Sequence, residues 1–169
     1  MENLEQIPVT QLKGIGASVS NKLAKLGIRS IQDILFHLPQ RYEDRTIISP
    51  IAALDAHDVA VIEGEIRVCN IAYGRRRSLV CTVQDHSGLI TLRFYHFSAA
   101  QKNNLLPGKR IRCYGDVRHG RSSMEMYHPE YVLLTTNKEL PLADTLTPVY
   151  PLTEGMSQNR LRAFSQQAL

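Results

Sequence analysis

Leu79-Val80-Cys81-Thr82-Val83-Gln84, Asp85-His86-Ser87-Gly88 and Leu89-Ile90-Thr91-Leu92-Arg93-Phe94-Tyr95-His96-Phe97 are the consecutive segments whose reading decides the fold. Two alternating runs rich in β-formers, separated by turn formers, predict an antiparallel hairpin across Asp85–Gly88. Period two in the second run assigns Ile90, Leu92 and Phe94 to a core face. It assigns Thr91, Arg93, Tyr95 and Phe97 to the opposite face. A cation beside two aromatics on the outer face of a strand is a candidate surface for stacking on nucleobases.

Outward from the hairpin, Val59 to Val68 alternates and reads as a preceding strand. Ser98 to Leu106 reads as a short helix closed by Pro107-Gly108. Arg110 to Val117 and Met124 to Leu134 then read as two further strands. A strand, a hairpin, a helix between the third and fourth strands and two more strands give the element order of an OB-fold. That fold is a five-stranded Greek-key barrel that binds oligonucleotides on one face. SH3-like barrels and split hairpin folds can imitate this order.

Before the β-zone, Val19, Leu23 and Leu26 recur at helical spacing, with Ser18 or Ser20 as N-cap and Gly27 as terminator. Ser30 to Leu38 predicts a second helix, capped by Ser30, ended by Pro39, with Ile31, Ile34, Leu35 and Leu38 on one face. The expected class is therefore α+β: a helix-hairpin-helix-like N-terminal element, then the barrel. The expected domains are 1–58 (helical element and polar connector), 59–134 (OB-fold) and 135–169. The last contains Pro141, Pro148 and Pro151 and a helix from Ser157, and reads as a linker and the opening of a further domain.

Charge concentrates in the barrel. Residues 59–134 hold 11 Lys and Arg against 6 Asp and Glu, whereas the whole chain carries only +4. Arg75, Arg76 and Arg77 sit at the tip of the loop joining the first two strands, where guanidinium forks suit phosphate. With Arg93, Lys102, Arg110, Arg112, Arg118 and Arg121 they form the expected phosphate-contacting track, and Tyr95 and Phe97 are the expected stacking residues. Leu12-Lys13-Gly14-Ile15-Gly16, followed by Lys22, is a glycine hairpin with two open readings. Gly14, Gly16 and Lys22 either approach a DNA phosphate or form a tight turn that packs helices.

Other chemistries are absent from the pattern. There is no phosphate-binding G-x-x-x-x-G-K-[ST] loop, no nucleophile elbow, and no metal-ligand spacing among the six histidines and three cysteines. No catalytic residue, metal or cofactor is expected in this chain. Cys69, Cys81 and Cys113 read as reduced, small apolar residues of a cytoplasmic protein. The longest apolar runs fall short of a membrane span, and a monomer is the default expectation.

The residues also resemble a family, the N-terminal wedge region of RecG, a bacterial ATP-dependent helicase that remodels forks and branched DNA. The resemblance is carried by Leu12–Gly16, by Leu38-Pro39-Gln40-Arg41-Tyr42-Glu43-Asp44-Arg45 and by Leu92–Phe97. It continues through His128-Pro129-Glu130-Tyr131 and Pro148-Val149-Tyr150-Pro151-Leu152-Thr153-Glu154-Gly155. It implies an OB-fold set at a DNA fork, with an aromatic at Tyr95 capping the terminal base pair. A second family aromatic falls on Ala99 here, and Phe97 is the substitute this sequence offers. The resemblance further implies motor domains in cis that carry ATP and Mg, branched DNA as partner, roles in recombination and repair, and a nucleoid-associated cytoplasmic setting. This stretch alone is expected to hydrolyse no ATP. A stand-alone single-strand-binding OB protein and a protein-interaction module are the alternative readings.

Overall fold

The computed structural model describes residues 3–135 and 140–169. Its first elements are α1 (Ala17–Lys25), α2 (Ile31–Phe36), β1 (Arg41–Glu43), β2 (Val59–Ala72), β3 (Ser78–Gln84) and β4 (Leu89–Phe94). Then follow α3 (Ala99–Asn104), β5 (Arg110–His119), β6 (Met124–Tyr127), β7 (Glu130–Leu134), β8 (Thr147–Val149) and α4 (Gln158–Ala168). They sort into two units: Arg45–Thr145, and the segment through Asp44 together with Leu146–Leu169.

In the Arg45–Thr145 unit, β2 is long because it serves two neighbours. Its first half pairs with β5, from Val59↔Asp116 to Glu65↔Arg110. Its second half pairs with β3, from Glu65↔Gln84 to Ala72↔Ser78, with a register shift between Ile66 and Val68. Such a bulge bends the strand so that one sheet can close. Antiparallel β3–β4, parallel β4–β6 and antiparallel β5–β6 pairs complete the ring. Gly64 lies where β2 passes close to β3: a Cβ there would stand 2.6 Å from both the Gln84 carbonyl oxygen and Val83 Cγ1.

The core follows the predicted alternation. Ile90, Leu92 and Phe94 of β4 are buried with Ile62, Ile66, Leu79, Val83, Ile111 and Met126, each large side chain stabilising by about 1.5–3 kcal/mol. The α3 helix is capped by Ser98, which accepts the Gln101 N–H at 3.0 Å, and Leu105 just beyond it is buried. Asp85 shapes the predicted turn by accepting the amides of Ser87 and Gly88 at 2.7 and 2.9 Å. Its other oxygen accepts the Ile51 amide at 2.9 Å. Burial works to raise the Asp85 pKa, but these bonds, with one from the Ser87 hydroxyl, outweigh it and hold the carboxyl at about 2.

The structure corrects several expectations. The barrel unit begins at Arg45 rather than 59, because Ile51 and Leu54 are buried in its core. Arg45 also makes two hydrogen bonds to Glu130, at 2.6 and 3.1 Å, and lies 3.7 Å over the Tyr114 ring. Two of the family-like sequence runs thereby meet. The expected strand 124–134 is broken into β6 and β7 at His128-Pro129, where His128 has φ 47° and proline has no amide to donate. The β4 ladder ends at Phe94, so Tyr95 and Phe97 lie beyond it.

Cys69 and Cys81, far apart in sequence, sit directly opposite on β2 and β3 with Cα atoms 4.0 Å apart and form a disulfide. Strand register, invisible in their spacing, brings this pair together, so the two are not the separate small apolar residues expected. Cys113 is free and buried, and burial pushes its thiol up.

The second unit packs Val9, Ile15, Val19, Leu23, Ile28 and Ile34 against Tyr150, Met156, Leu161 and Phe164. The C-terminal stretch, expected to be a linker and the start of another domain, thus completes the N-terminal helical element; residues 136–139 of that linker lie outside the described residues. Antiparallel β1–β8 pairing sets Arg41 opposite Val149 and Tyr42 opposite Pro148, joining two more of the family-like runs.

Helix termini follow local chemistry. The N-cap of α1 is Gly16, with no side-chain cap bond, rather than Ser18 or Ser20. At the other end Gly27 has φ 79°, and its amide bonds Ala24 O while the Ile28 amide bonds Leu23 O. This is a Schellman closure. Ser30 caps α2, as predicted, and Asp33 caps in return. The helix stops at Phe36 and leaves Leu38 exposed, since the residue before Pro39 is barred from helical backbone.

Candidate nucleic-acid interface

At one end of the barrel the loop 73–77, the segment after β4, the β5–β6 turn and β6 enclose a groove of about 880 Å³. Tyr73, Arg75, Arg76, Tyr95, Arg121 and Tyr127 line it. The Tyr95 and Tyr127 rings are nearly parallel, at 7° with centroids 6.0 Å apart. Arg76 lies 4.9 Å over the Tyr95 ring and Arg118 lies 5.9 Å over Tyr127. Cation–π contacts at such exposed sites contribute about 0.5–1 kcal/mol, little enough for the arginines to leave the rings for a phosphate. The fifth rim arginine, Arg77, stands 5.0 Å over Phe97, whose ring is partly buried against the barrel core.

The floor of the groove is an ion pair. Arg93 Nε and Nη2 donate to the two carboxylate oxygens of Glu125 at 3.2 and 3.1 Å, and Nη1 donates to the buried Ser78 hydroxyl at 3.1 Å. The Arg93 hydrogen bond holds the Glu125 carboxyl below its usual range, and Glu125 in turn pushes the Tyr127 phenol up. Arg93 and Tyr127 are register partners across β4 and β6. Tyr95 is fixed from behind, where its amide donates to His128 Nε2 at 3.0 Å.

The structure gathers part of the expected set. Tyr95, Arg75, Arg76 and Arg121 line the groove; Arg77 and Arg118 flank it through their rings. Arg110 and Arg112 are not among the residues lining the groove, and both pair with Glu63, at 3.5 and 2.6 Å. Arg112 also donates to the Leu140 and Pro141 carbonyls. Arg93 is held by Glu125. Lys102 stands exposed on α3.

In the other unit, the glycine hairpin packs. Gly14 has φ 89°, and a Cβ there would meet the Phe164 ring at 3.7 Å. Gln167 bonds both the amide and the carbonyl of Lys13, at 2.9 and 3.3 Å. Lys22 Nζ donates to the Gly155 carbonyl at 3.4 Å, while the space around the Gly16 Cα is open.

Tyr127, Glu125 and His128 were not among the expected site residues. The signal for the first two is period two: Met126 is buried in the core, so Glu125 and Tyr127 face outward beside Arg93.

Fold and rim together define the class, an OB-fold barrel with a cation–aromatic strip at one end. A family model described as the RecG wedge domain matches residues 8–169. The chain belongs to the RecG wedge domain family. It is 48% identical over 166 residues to the ATP-dependent DNA helicase RecG of Escherichia coli (strain K12), covering 98% of this chain and 24% of that protein. The Haemophilus influenzae RecG helicase is 46% identical over 169 residues, covering 100% of this chain and 24% of its own length. The chain thus spans about a quarter of these relatives. A solved structure of RecG bound to a three-way DNA junction shares the fold, with TM-score 0.79 at 23% identity over 95% of this chain and 22% of that one. No helix among the described residues is long and apolar enough to cross a membrane.

Proposed function

We propose that this chain binds branched DNA and acts as the strand-separating wedge of a RecG-type helicase in recombination and repair. The observation that carries the reading is the barrel rim, where Tyr95 stands in a groove among Arg75, Arg76 and Arg121. Tyr95 caps the terminal base pair at the fork, and the rim arginines hold the backbones on either side without reading sequence. Unstacking a base step costs a few kcal/mol, and stacking on an aromatic returns about 1–3 kcal/mol. Net work therefore comes from motor domains in cis, supplied with ATP and Mg, that draw duplex against the barrel. Phe97, half-covered by the core, supports the rim in this reading and is secondary to Tyr95. The setting is the bacterial cytoplasm, with the chain acting as a monomer.

The test compares binding of the chain to a three-way fork, a duplex and a single strand of equal length, with Tyr95→Ala alongside. A fork preference that disappears in the variant, with the salt dependence kept, supports the wedge. Equal binding of all three by both proteins overturns it and leaves a generic cationic tether. A preference for single strand over fork favours the stand-alone single-strand reading.

A further inference from the structure

We propose that Tyr127 is a second base-stacking residue, and that Tyr95 and Tyr127 form a slot that takes one unpaired nucleobase between their rings. The inference rests on the DNA-binding reading above and adds to it the occupant of the groove. Sheet topology supplies the first argument. The strand order β3-β4-β6-β5 carries the loop of Arg76, then Tyr95, then Tyr127, then Arg118. The four side chains follow one another across the barrel end as cation, ring, ring, cation.

Spacing supplies the second. Nucleic-acid bases stack about 3.4 Å apart, so one base between two rings needs about 6.8 Å. The ring centroids stand 6.0 Å apart with the planes at 7°, within about 1 Å of the centroid separation that a sandwiched base sets. Tyr95 lies just past the end of β4 and is tied there by one backbone bond to His128, so the opening needs no break in the barrel ladder. Tyr127 lies on β6, beside the Arg93–Glu125 pair, and forms the fixed wall. Arg76 and Arg118, each over one of the rings, are the cations nearest the trapped nucleotide, and a single unpaired base at a branch point is the ligand.

The experiment places 2-aminopurine at the first unpaired position of a fork and follows quenching and affinity for the parent chain, Tyr95→Ala, Tyr127→Ala, Tyr127→Phe and the double alanine variant. Each alanine variant is expected to lose about tenfold in affinity, as removal of one stacking ring does, and most of the quenching. Tyr127→Phe keeps both, since the ring and not the phenol is used. The double variant is expected to be weaker than either single one, because a base deprived of one ring still stacks on the other. A Tyr127→Ala variant that keeps the quenching at that position overturns the slot, as does a Tyr127→Phe variant as weak as Tyr127→Ala. If Tyr95→Ala loses fork binding and Tyr127→Ala does not, the slot fails and the wedge reading survives. If neither variant changes binding, the wedge reading itself fails.

Discussion

Replacing Arg76 and Arg93 by alanine, one at a time, separates cations that meet phosphate from those the fold has already committed. Each phosphate neutralised on duplex DNA adds about 0.9 to the magnitude of the slope of log K against log salt. Five arginines, Arg75, Arg76, Arg77, Arg118 and Arg121, are exposed at the rim, and none has an ion pair among the described residues. Arg93 is different. Its partner Glu125 keeps only 9% of its side chain exposed and receives two of its hydrogen bonds. Turning Arg93 to a phosphate would leave that carboxylate buried and unpaired, a penalty of about 3–5 kcal/mol when fully buried. A charge-assisted contact returns about 1.5–3 kcal/mol, so the internal pair wins. Arg76→Ala is therefore expected to lower the slope by about 0.9, and Arg93→Ala to leave it within about 0.3. Fluorescence anisotropy across a salt series reads both. Because Arg93→Ala also strips Glu125 of its partner, the paired variant Arg93→Met with Glu125→Met is measured beside it as a fold control. An Arg93 slope change as large as that of Arg76, in a folded variant, refutes the reasoning.

Two further outcomes concern the frame that holds the rim. Asp85 has a folded pKa of about 2 against an ordinary value of 3.8. Its contribution, at most about 2 kcal/mol, is present above the unfolded value and is lost as pH falls toward 2. Asp85→Asn should flatten the acid limb of a urea-denaturation series between about pH 5 and 2; an acid limb identical to the parent would sink the assignment. Gly64→Ala puts a methyl carbon within 2.6 Å of a backbone oxygen and a core valine, and is expected to destabilise by about 1–3 kcal/mol. A midpoint indistinguishable from the parent in the same denaturation assay would show that the crossing is looser than its geometry.

Much of the barrel was legible because its signals are local. Alternation in Ile90–Phe94 fixed which side chains face the core, Asp85–Gly88 marked the turn, and Ser30 and Gly27 marked helix ends. Tyr95 and the loop arginines were legible for the same reason, being outward-facing or at a tip. Ion pairing was not. Arg93, Arg110 and Arg112 have the same side chain as Arg76, and only the cross-strand neighbours Glu125 and Glu63 distinguish them, by pairing with them.

By itself, the sequence determined the element order, the faces of the strands and the residues available at the rim. All of these follow from steric and hydrophobic preferences acting over a few neighbouring residues. Only the tertiary structure decided which distant residues became partners. Register set Cys69 against Cys81 and brought Tyr127 beside Tyr95. Burial of Leu161 and Phe164 drew the C-terminal helix onto the N-terminal helices and turned the glycine hairpin into a packing element. A pairing between strands, or between helices more than a hundred residues apart, is selected by burial and ladder closure across the whole unit. No short window of sequence contains that competition.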